Sequence, residues 1–206
     1  MRIRGNLPRG TDKSVPYVMI IRAYLRRRLG VDGAGKIPYH IQKGGDSMDE
    51  QMMREALALA AEAAAEGEVP VGCVITLDDR IVGRGRNRRE VGKNALAHAE
   101  LEAIAEACKT LGGWRLWRCT LYVTLEPCPM CAGAIINARI PRVVYGAKDV
   151  RFGACGSVTD LFAMPFNHRP TVETGLLEAE ALALLQDSFQ LLRNKRKKKK
   201  SDFILE

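Results

Sequence analysis

Two short segments of this chain hold residue types that activate small molecules: His98-Ala99-Glu100 and Pro127-Cys128-Pro129-Met130-Cys131. Cysteines three positions apart at a helix start stand about one turn from each other. The unpaired N–H groups and positive dipole end of such a start favour thiolate, the form that binds metal. One imidazole nitrogen and two thiolates make a roughly neutral site with zinc and leave a fourth tetrahedral position open to water. An open position implies catalysis, because the metal lowers the pKa of that water towards neutrality. The expected ligands are therefore His98, Cys128 and Cys131, holding one zinc ion per chain. Glu100 follows His98 by two residues, about 200° around a regular helix, which makes it a poor second ligand from the same turn. It is expected to face the cavity as the catalytic acid/base, taking a proton from the water and delivering it to the substrate and then the leaving group.

Taken singly, these residues have plainer readings. A Cys-x-x-Cys pair alone is equally the mark of a structural zinc half-site or a redox pair, and a lone His98 would be a surface or capping residue. A structural site needs a fourth ligand, and the chain has neither a second Cys-x-x-Cys nor a His-x-x-x-His. Cys73, Cys108 and Cys119 read as buried free thiols, while Cys155, in a Gly-rich loop, stays open as an occasional ligand or redox partner. Asn87 reads by default as turn chemistry and His168 as a loop histidine. Together, His-x-Glu and Pro-Cys-x-x-Cys form the signature of zinc-dependent nucleobase deaminases.

Both segments must be delivered to one place by the elements around them. Residues 50–66 predict a helix, capped by Ser47 or Asp49, with Met53, Leu57, Ala60, Ala61 and Ala64 on one face and Gly67 as its stop. Residues 69–77 and 80–87 read as antiparallel strands joined at Asp78-Asp79. Residues 98–111 predict a helix with Leu101, Ile104, Ala105 and Cys108 inward, ended by Gly112-Gly113. A strand over 120–125, a helix over 129–138 beginning on proline, a strand over 142–146, a short strand over 171–173 and a helix over 178–194 complete the order. This is an α/β domain of two or three layers, a mixed central sheet of about five strands flanked by helices.

Composition narrows the class. With 206 residues and 47% hydrophobic content the chain can bury one full core. No run approaches the length of a membrane span, so no membrane partner is expected. Six cysteines in a chain with its own core read as reduced thiols, hence a cytoplasmic location. The net charge of +8 sits at the ends. Residues 1–47 carry ten Lys/Arg against three Asp/Glu, residues 48–192 carry fifteen against nineteen, and residues 193–206 carry seven against two. The last segment is a basic C-terminal tail, ordinarily a solvated end, and one that attracts polyanions in a salt-dependent way.

Beyond the zinc signature, residues 50 to about 194 resemble the bacterial tRNA-specific adenosine deaminases. The resemblance is carried by Val69-Pro70-Val71-Gly72, Gly85-Arg86-Asn87-Arg88, Thr124-Leu125-Glu126-Pro127-Cys128, Met130-Cys131-Ala132-Gly133-Ala134-Ile135, Arg142-Val143-Val144-Tyr145-Gly146-Ala147-Lys148-Asp149 and Gly153-Ala154-Cys155-Gly156-Ser157. It implies a cytidine-deaminase-like fold, a homodimer, and conversion of adenosine to inosine at the wobble position of a tRNA anticodon, usually that of an arginine tRNA. It further implies that Asn87 contacts the purine, that Val69 lines the base pocket and that Asp149 lies near the neighbouring ribose. Two residues depart from the family: Phe152 stands where a small polar residue is more usual, and Cys155 replaces an alanine-like position. Packing is the default for Phe152, and stacking on a base is its alternative. The competing functions are a free-base or nucleotide deaminase acting on guanine, cytosine or deoxycytidylate, and a non-catalytic zinc or RNA-binding protein. The basic C-terminus speaks against the first and Glu100 against the second.

Residues 1–47 lack core periodicity and are expected to be a disordered extension or a mis-assigned start preceding the 48–192 domain. Lys43-Gly44-Gly45 can be encoded by a ribosome-binding sequence placed ahead of a start at Met48. An Arg-rich transit peptide and an RNA-binding arm are the rival readings of this segment.

Overall fold

The computed structural model describes residues 47–204, so the expectations for residues 1–46 lie outside the described residues. Helix α1 spans Met48–Ala65, strand β1 Gly72–Leu77, strand β2 Arg80–Arg86, helix α2 Ala99–Leu111, strand β3 Cys119–Leu125, helix α3 Pro129–Ala138, strand β4 Arg142–Ala147, strand β5 Thr171–Thr174 and helix α4 Glu178–Ile204. The five strands form one mixed sheet in the order β2-β1-β3-β4-β5. β1 runs antiparallel to β2 and β3, whereas β3, β4 and β5 are mutually parallel. The element types match the sequence reading, with α4 running past residue 194 to Ile204 and β1 starting at Gly72 rather than at residue 69.

Three layers result. Alternate residues of the central strands point to opposite faces. Cys73, Ile75, Leu121, Val123, Val143 and Tyr145 pack with α2 and α3, while Val74, Tyr122 and Val144 pack with α1 and α4. A strand covered on both faces reads as a continuous apolar run, which is what residues 72–75 and 143–147 present. At the β1–β2 connection Asp78 and Asp79 both take positive φ, 49° and 62°, the backbone that a two-residue hairpin turn of primed type requires. Ser47 caps α1 through a reciprocal pair, its hydroxyl accepting from the Glu50 N–H at 3.3 Å while its own N–H donates to Glu50 Oε2 at 2.8 Å.

Helix α2 bears out part of the expected inward face and corrects the rest. Ile104 and Cys108 pack against the core from partly buried positions, the fully buried residues are Ala99, Glu100, Ala103 and Ala107, and Ala105 is exposed. Hydrophobicity ranks Leu101 and Ile104 above alanine, but the helix seats on β2 where that strand carries glycine. A Cβ at Gly83 would stand 2.3 Å from the Ala103 carbonyl oxygen, and one at Gly85 only 2.0 Å from that of Ala99. Backbone-to-backbone approach on that scale selects the smallest side chains on the helix and none on the strand. Gly72 plays the same part for α1, with a Cβ site 2.0 Å from the Ala56 carbonyl oxygen. The outward side of β2 is covered as well, since the N–H groups of Arg84 and Arg86 donate to Glu106 and Glu102 of α2 at 3.0 and 3.4 Å.

Gly85→Ala is expected to force α2 off the sheet, costing about 1–3 kcal/mol or more, the usual penalty of overpacking, and thermal unfolding should show it as a fall of several degrees. Arg142 ties the far side together, reaching Asp49 of α1 at 2.6 Å and Glu173 of β5 at 2.8 Å, with the Tyr122 hydroxyl donating to Asp49 at 2.6 Å. The Arg142 guanidinium holds the Asp49 carboxyl below its ordinary 3.8. A depressed folded-state value stabilises above the unfolded pKa, and the contribution is lost as pH falls through the folded one. Asp49→Asn should therefore melt below the parent at neutral pH, and the gap should narrow progressively in a melting series carried into acid below the ordinary carboxyl value of 3.8.

Candidate active site

The two signature segments meet at helix starts on the same face of the sheet. His98 is the N-cap of α2, with extended backbone (φ −88°, ψ 150°), and Cys128 is the N-cap of α3 (φ −73°, ψ 172°), with Pro129 opening the helix and Cys131 in its first turn. An N-cap is not yet helical, so the 200° separation of His98 and Glu100 expected of a regular helix does not apply. Glu100, buried in the first turn of α2, lies close enough to Cys128, His98 and Cys131 for their charges to act on its carboxyl.

The metal-binding atoms of His98, Cys128 and Cys131 lie within 4.8 Å of one another. His98 Nδ1 is 3.8 Å from Cys128 Sγ and 3.5 Å from Cys131 Sγ. A tetrahedral zinc with bonds of about 2.0–2.1 Å to nitrogen and 2.3 Å to sulfur separates those atoms by about 3.6 Å, so the donor set fits such an ion. Protonation fits too. Cys131 and then His98 hold the Cys128 thiol down to about 4, whereas the Cys131 thiol is pushed up by its bond to that thiolate and by burial. Two thiolates at this spacing repel each other, and a cation between the sulfurs would allow both to be deprotonated. Glu100 is 4% exposed, and desolvation pushes its carboxyl up to about 7. Cys155 is buried with its Sγ 3.9 Å from the Pro127 carbonyl oxygen and does not join the cluster, and Cys73 and Cys119 are buried as expected.

The flanking residues fall on two loops. Asn87 directly follows β2 and is buried, its Nδ2 donating to the Val69 carbonyl at 3.3 Å and to Glu68 Oε2 at 3.4 Å. Val69 is half-buried in the segment leading into β1. Asp149, after β4, receives the N–H groups of Arg151 and Phe152 on Oδ1 at 2.9 and 3.2 Å. His168 is held by a bond from Nε2 to the Ile140 carbonyl at 2.8 Å, a structural role.

Two residues that the sequence does not single out organise these loops. Glu126 is 2% exposed and accepts from the N–H groups of Asp149, Cys155 and Ser157 at 3.1, 3.0 and 3.1 Å, and from the Ser157 hydroxyl. Glu68 is 1% exposed and accepts from Asn87 and, at 2.7 Å, from the Val91 N–H. A buried carboxylate is tolerated only where bonds replace its water, so each glutamate fixes the loop that supplies its donors. A charged residue at a strand end beside Pro127 is the available signal for Glu126; Glu68 carries none.

The mixed five-stranded sheet, with a His/Cys/Cys cluster at paired helix starts, defines the cytidine-deaminase-like class of deaminases. The chain belongs to the MafB19-like deaminase family, whose profile matches residues 47–193. It is 46% identical to the tRNA-specific adenosine deaminase of Bacillus subtilis strain 168 over 152 residues, covering 73% of this chain and 94% of that one. A chain solved in a study of A-to-I editing by tRNA:A34 deaminases at the wobble position aligns with TM-score 0.62 and 43% identity, over 66% of this chain and 99% of its own. A chain solved with 2,6-diaminopurine aligns with TM-score 0.54 and 29% identity, over 68% of this chain and 80% of its own.

Cys128→Ser and Cys131→Ser should each lose bound metal, since a serine hydroxyl stays protonated at neutral pH and ligates weakly. Elemental analysis of the purified variants checks this, and a full equivalent of zinc in either would remove that residue from the ligand set.

Proposed function

We propose that this chain is a zinc-dependent hydrolase that converts adenosine to inosine at the wobble position of a tRNA anticodon. The observation that carries the reading is the buried Glu100 carboxyl set against the His98, Cys128 and Cys131 cluster, in a chain that aligns with nearly the full length of a tRNA-specific adenosine deaminase. Zinc, when bound by His98, Cys128 and Cys131, one ion per chain, supplies the nucleophilic oxygen at neutral pH. Glu100 moves the protons: its carboxylate accepts one from the attacking water and passes it to the adjacent ring nitrogen, then accepts the second from the newly added hydroxyl as the carbonyl forms and delivers it to the amino group, which departs as ammonia. Water and adenosine thus give inosine and ammonia, and the glutamate ends as it began.

The loops supply the substrate contacts. Both Asn87 amide hydrogens have protein acceptors, so its Oδ1 is the atom it offers the purine. Val69 lines the base pocket and Asp149 lies towards the neighbouring ribose, as the family resemblance implies. The same resemblance supports an arginine tRNA anticodon arm as substrate and a homodimer as the working state. The basic run from Arg193 to Lys200 adds salt-dependent attraction for RNA. Among the described residues no helix is long and apolar enough to cross a membrane, and the six unpaired cysteines suit a reducing cytoplasm.

Incubation with arginine tRNA followed by sequencing of the wobble position tests the function, since inosine reads as guanosine. Turnover of free guanine or cytosine without turnover of an anticodon stem-loop would instead favour a free-base deaminase. Glu100→Ala should retain zinc and lose about 10²–10⁴-fold in rate, the range that general acid–base groups contribute. Normal turnover by that variant, measured beside its metal content, would exclude the proton-transfer role.

A further inference from the structure

Phe152 does not pack into the core. Its residue is 66% exposed, between Arg151, which is also exposed, and Gly153. The backbone that carries it is nevertheless held from several directions. Its own N–H donates to Asp149 Oδ1 at 3.2 Å, and the Gly153 N–H donates to the Asp149 carbonyl at 2.8 Å. Gly153 lies directly on Glu126, where an added Cβ would stand 2.4 Å from the carboxyl carbon. The Ala154 N–H then donates to the Pro127 carbonyl at 2.9 Å, which ties the loop to the residue preceding Cys128. An exposed phenylalanine is thus presented on a fixed support next to the strand end that delivers a metal ligand. The exposed Trp114 and Trp117 differ in placement, since they precede β3 and that strand separates them from Cys128.

A fixed apolar ring in water represents a cost that a partner can relieve, and its neighbourhood selects the kind of partner. Lys148 and Arg151 on the same loop are exposed, so the ring is offered among cations. Cations that follow a phosphate backbone, beside an aromatic face on which a base can lie, are the recognised composition of a single-stranded nucleic-acid platform. Fixing the support before binding lowers the ordering cost that a mobile loop would incur.

We propose that Phe152 forms a base-stacking subsite that receives an unpaired nucleobase immediately flanking the reactive adenosine in the RNA strand. The proposal rests on the tRNA deaminase reading and adds to it a contact that tolerates any base, because every base has a π-face. Phe152 is then a positioning residue, acting on the neighbour and not on the reacting ring.

The test uses the full chain and anticodon stem-loops that are intact, abasic on the 5′ side of the target adenosine, or abasic on its 3′ side. Binding is read by fluorescence anisotropy and turnover by inosine formation. On the intact loop, Phe152→Ala should weaken binding about 5- to 150-fold, the range for loss of one stacked base. Phe152→Trp should bind like the parent, and Phe152→Leu, which keeps apolar bulk without a π-face, should bind like the alanine variant. On one of the two abasic loops the difference between parent and Phe152→Ala should vanish. Unchanged binding by Phe152→Ala, rescue by leucine, or an equal loss on both abasic loops would each overturn the subsite. Zinc content and melting temperature should match the parent in all three variants; a drop in either would mark Phe152 as structural and overturn it likewise. If the parent binds the loops but makes no inosine, the deaminase reading fails while the binding comparison still decides the subsite.

Discussion

The seating of α2 on β2 without intervening side chains is the constraint from which the site follows. Gly83 and Gly85 bring the strand backbone against the carbonyls of Ala103 and Ala99, and Ala99 is the first residue of the helix. Its neighbour His98 therefore has little freedom in where it begins its turn. A methyl group at Gly85 would displace the helix and with it the imidazole, whose distances to two sulfurs agree with tetrahedral zinc to within a few tenths of an ångström. Cys128 and Cys131 reach the same point from β3, which pairs with β1 between the two helices. The geometry of the His98, Cys128 and Cys131 cluster on two helix starts is thus set by strand spacing and by the absence of Cβ atoms.

Around that rigid frame the loops that carry Asn87 and Asp149 are organised by charge instead of packing. Glu68 and Glu126 are both almost fully buried, and each accepts backbone N–H groups from the loop beside it. An uncompensated buried carboxylate would be far more costly than any loop bond is favourable, so the donors are obliged to stay in place. This arrangement suits residues that must face solvent and still hold position, such as Asp149 and Phe152. Apolar burial could fix such a loop only by hiding the side chains it presents.

Much of the fold and of the metal cluster is legible in the amino-acid sequence, wherever residue type and spacing act locally. The Asp78-Asp79 turn, the proline-led start of α3, the face of α1 carrying Met53, Leu57 and Ala60, and the meeting of His98 with Cys128 and Cys131 all follow from rules that operate over a few residues. The inward face of α2 follows only in part: Ile104 and Cys108 pack against the core as their hydrophobicity suggests, but the closest seat belongs to Ala99 and Ala103, a preference that depends on glycines in a different element. The place of Glu100 beside the cluster is legible too, since a residue two positions after His98 in the same helix start is carried to the same cavity. Glu126 lies within a motif but shows no role there, because its donors sit some distance further along the chain and nothing nearby announces them. The end of α4 at Ile204 is equally hidden, because a dense run of lysines reads as solvated chain whether or not it is helical.

The bonds from Arg84 and Arg86 to Glu106 and Glu102 have a consequence for how this molecule meets copies of itself. β2 is an edge strand, and an edge with unpaired N–H groups is a template on which another chain can add a strand. Here those groups are taken by carboxylates of the covering helix, and arginine side chains line the same strand. The opposite edge, β5, is only four residues long. Continuation of the sheet from one molecule to the next is therefore disfavoured on both sides. Ordered association is left to helix and loop surfaces, whose side chains can distinguish one partner from another.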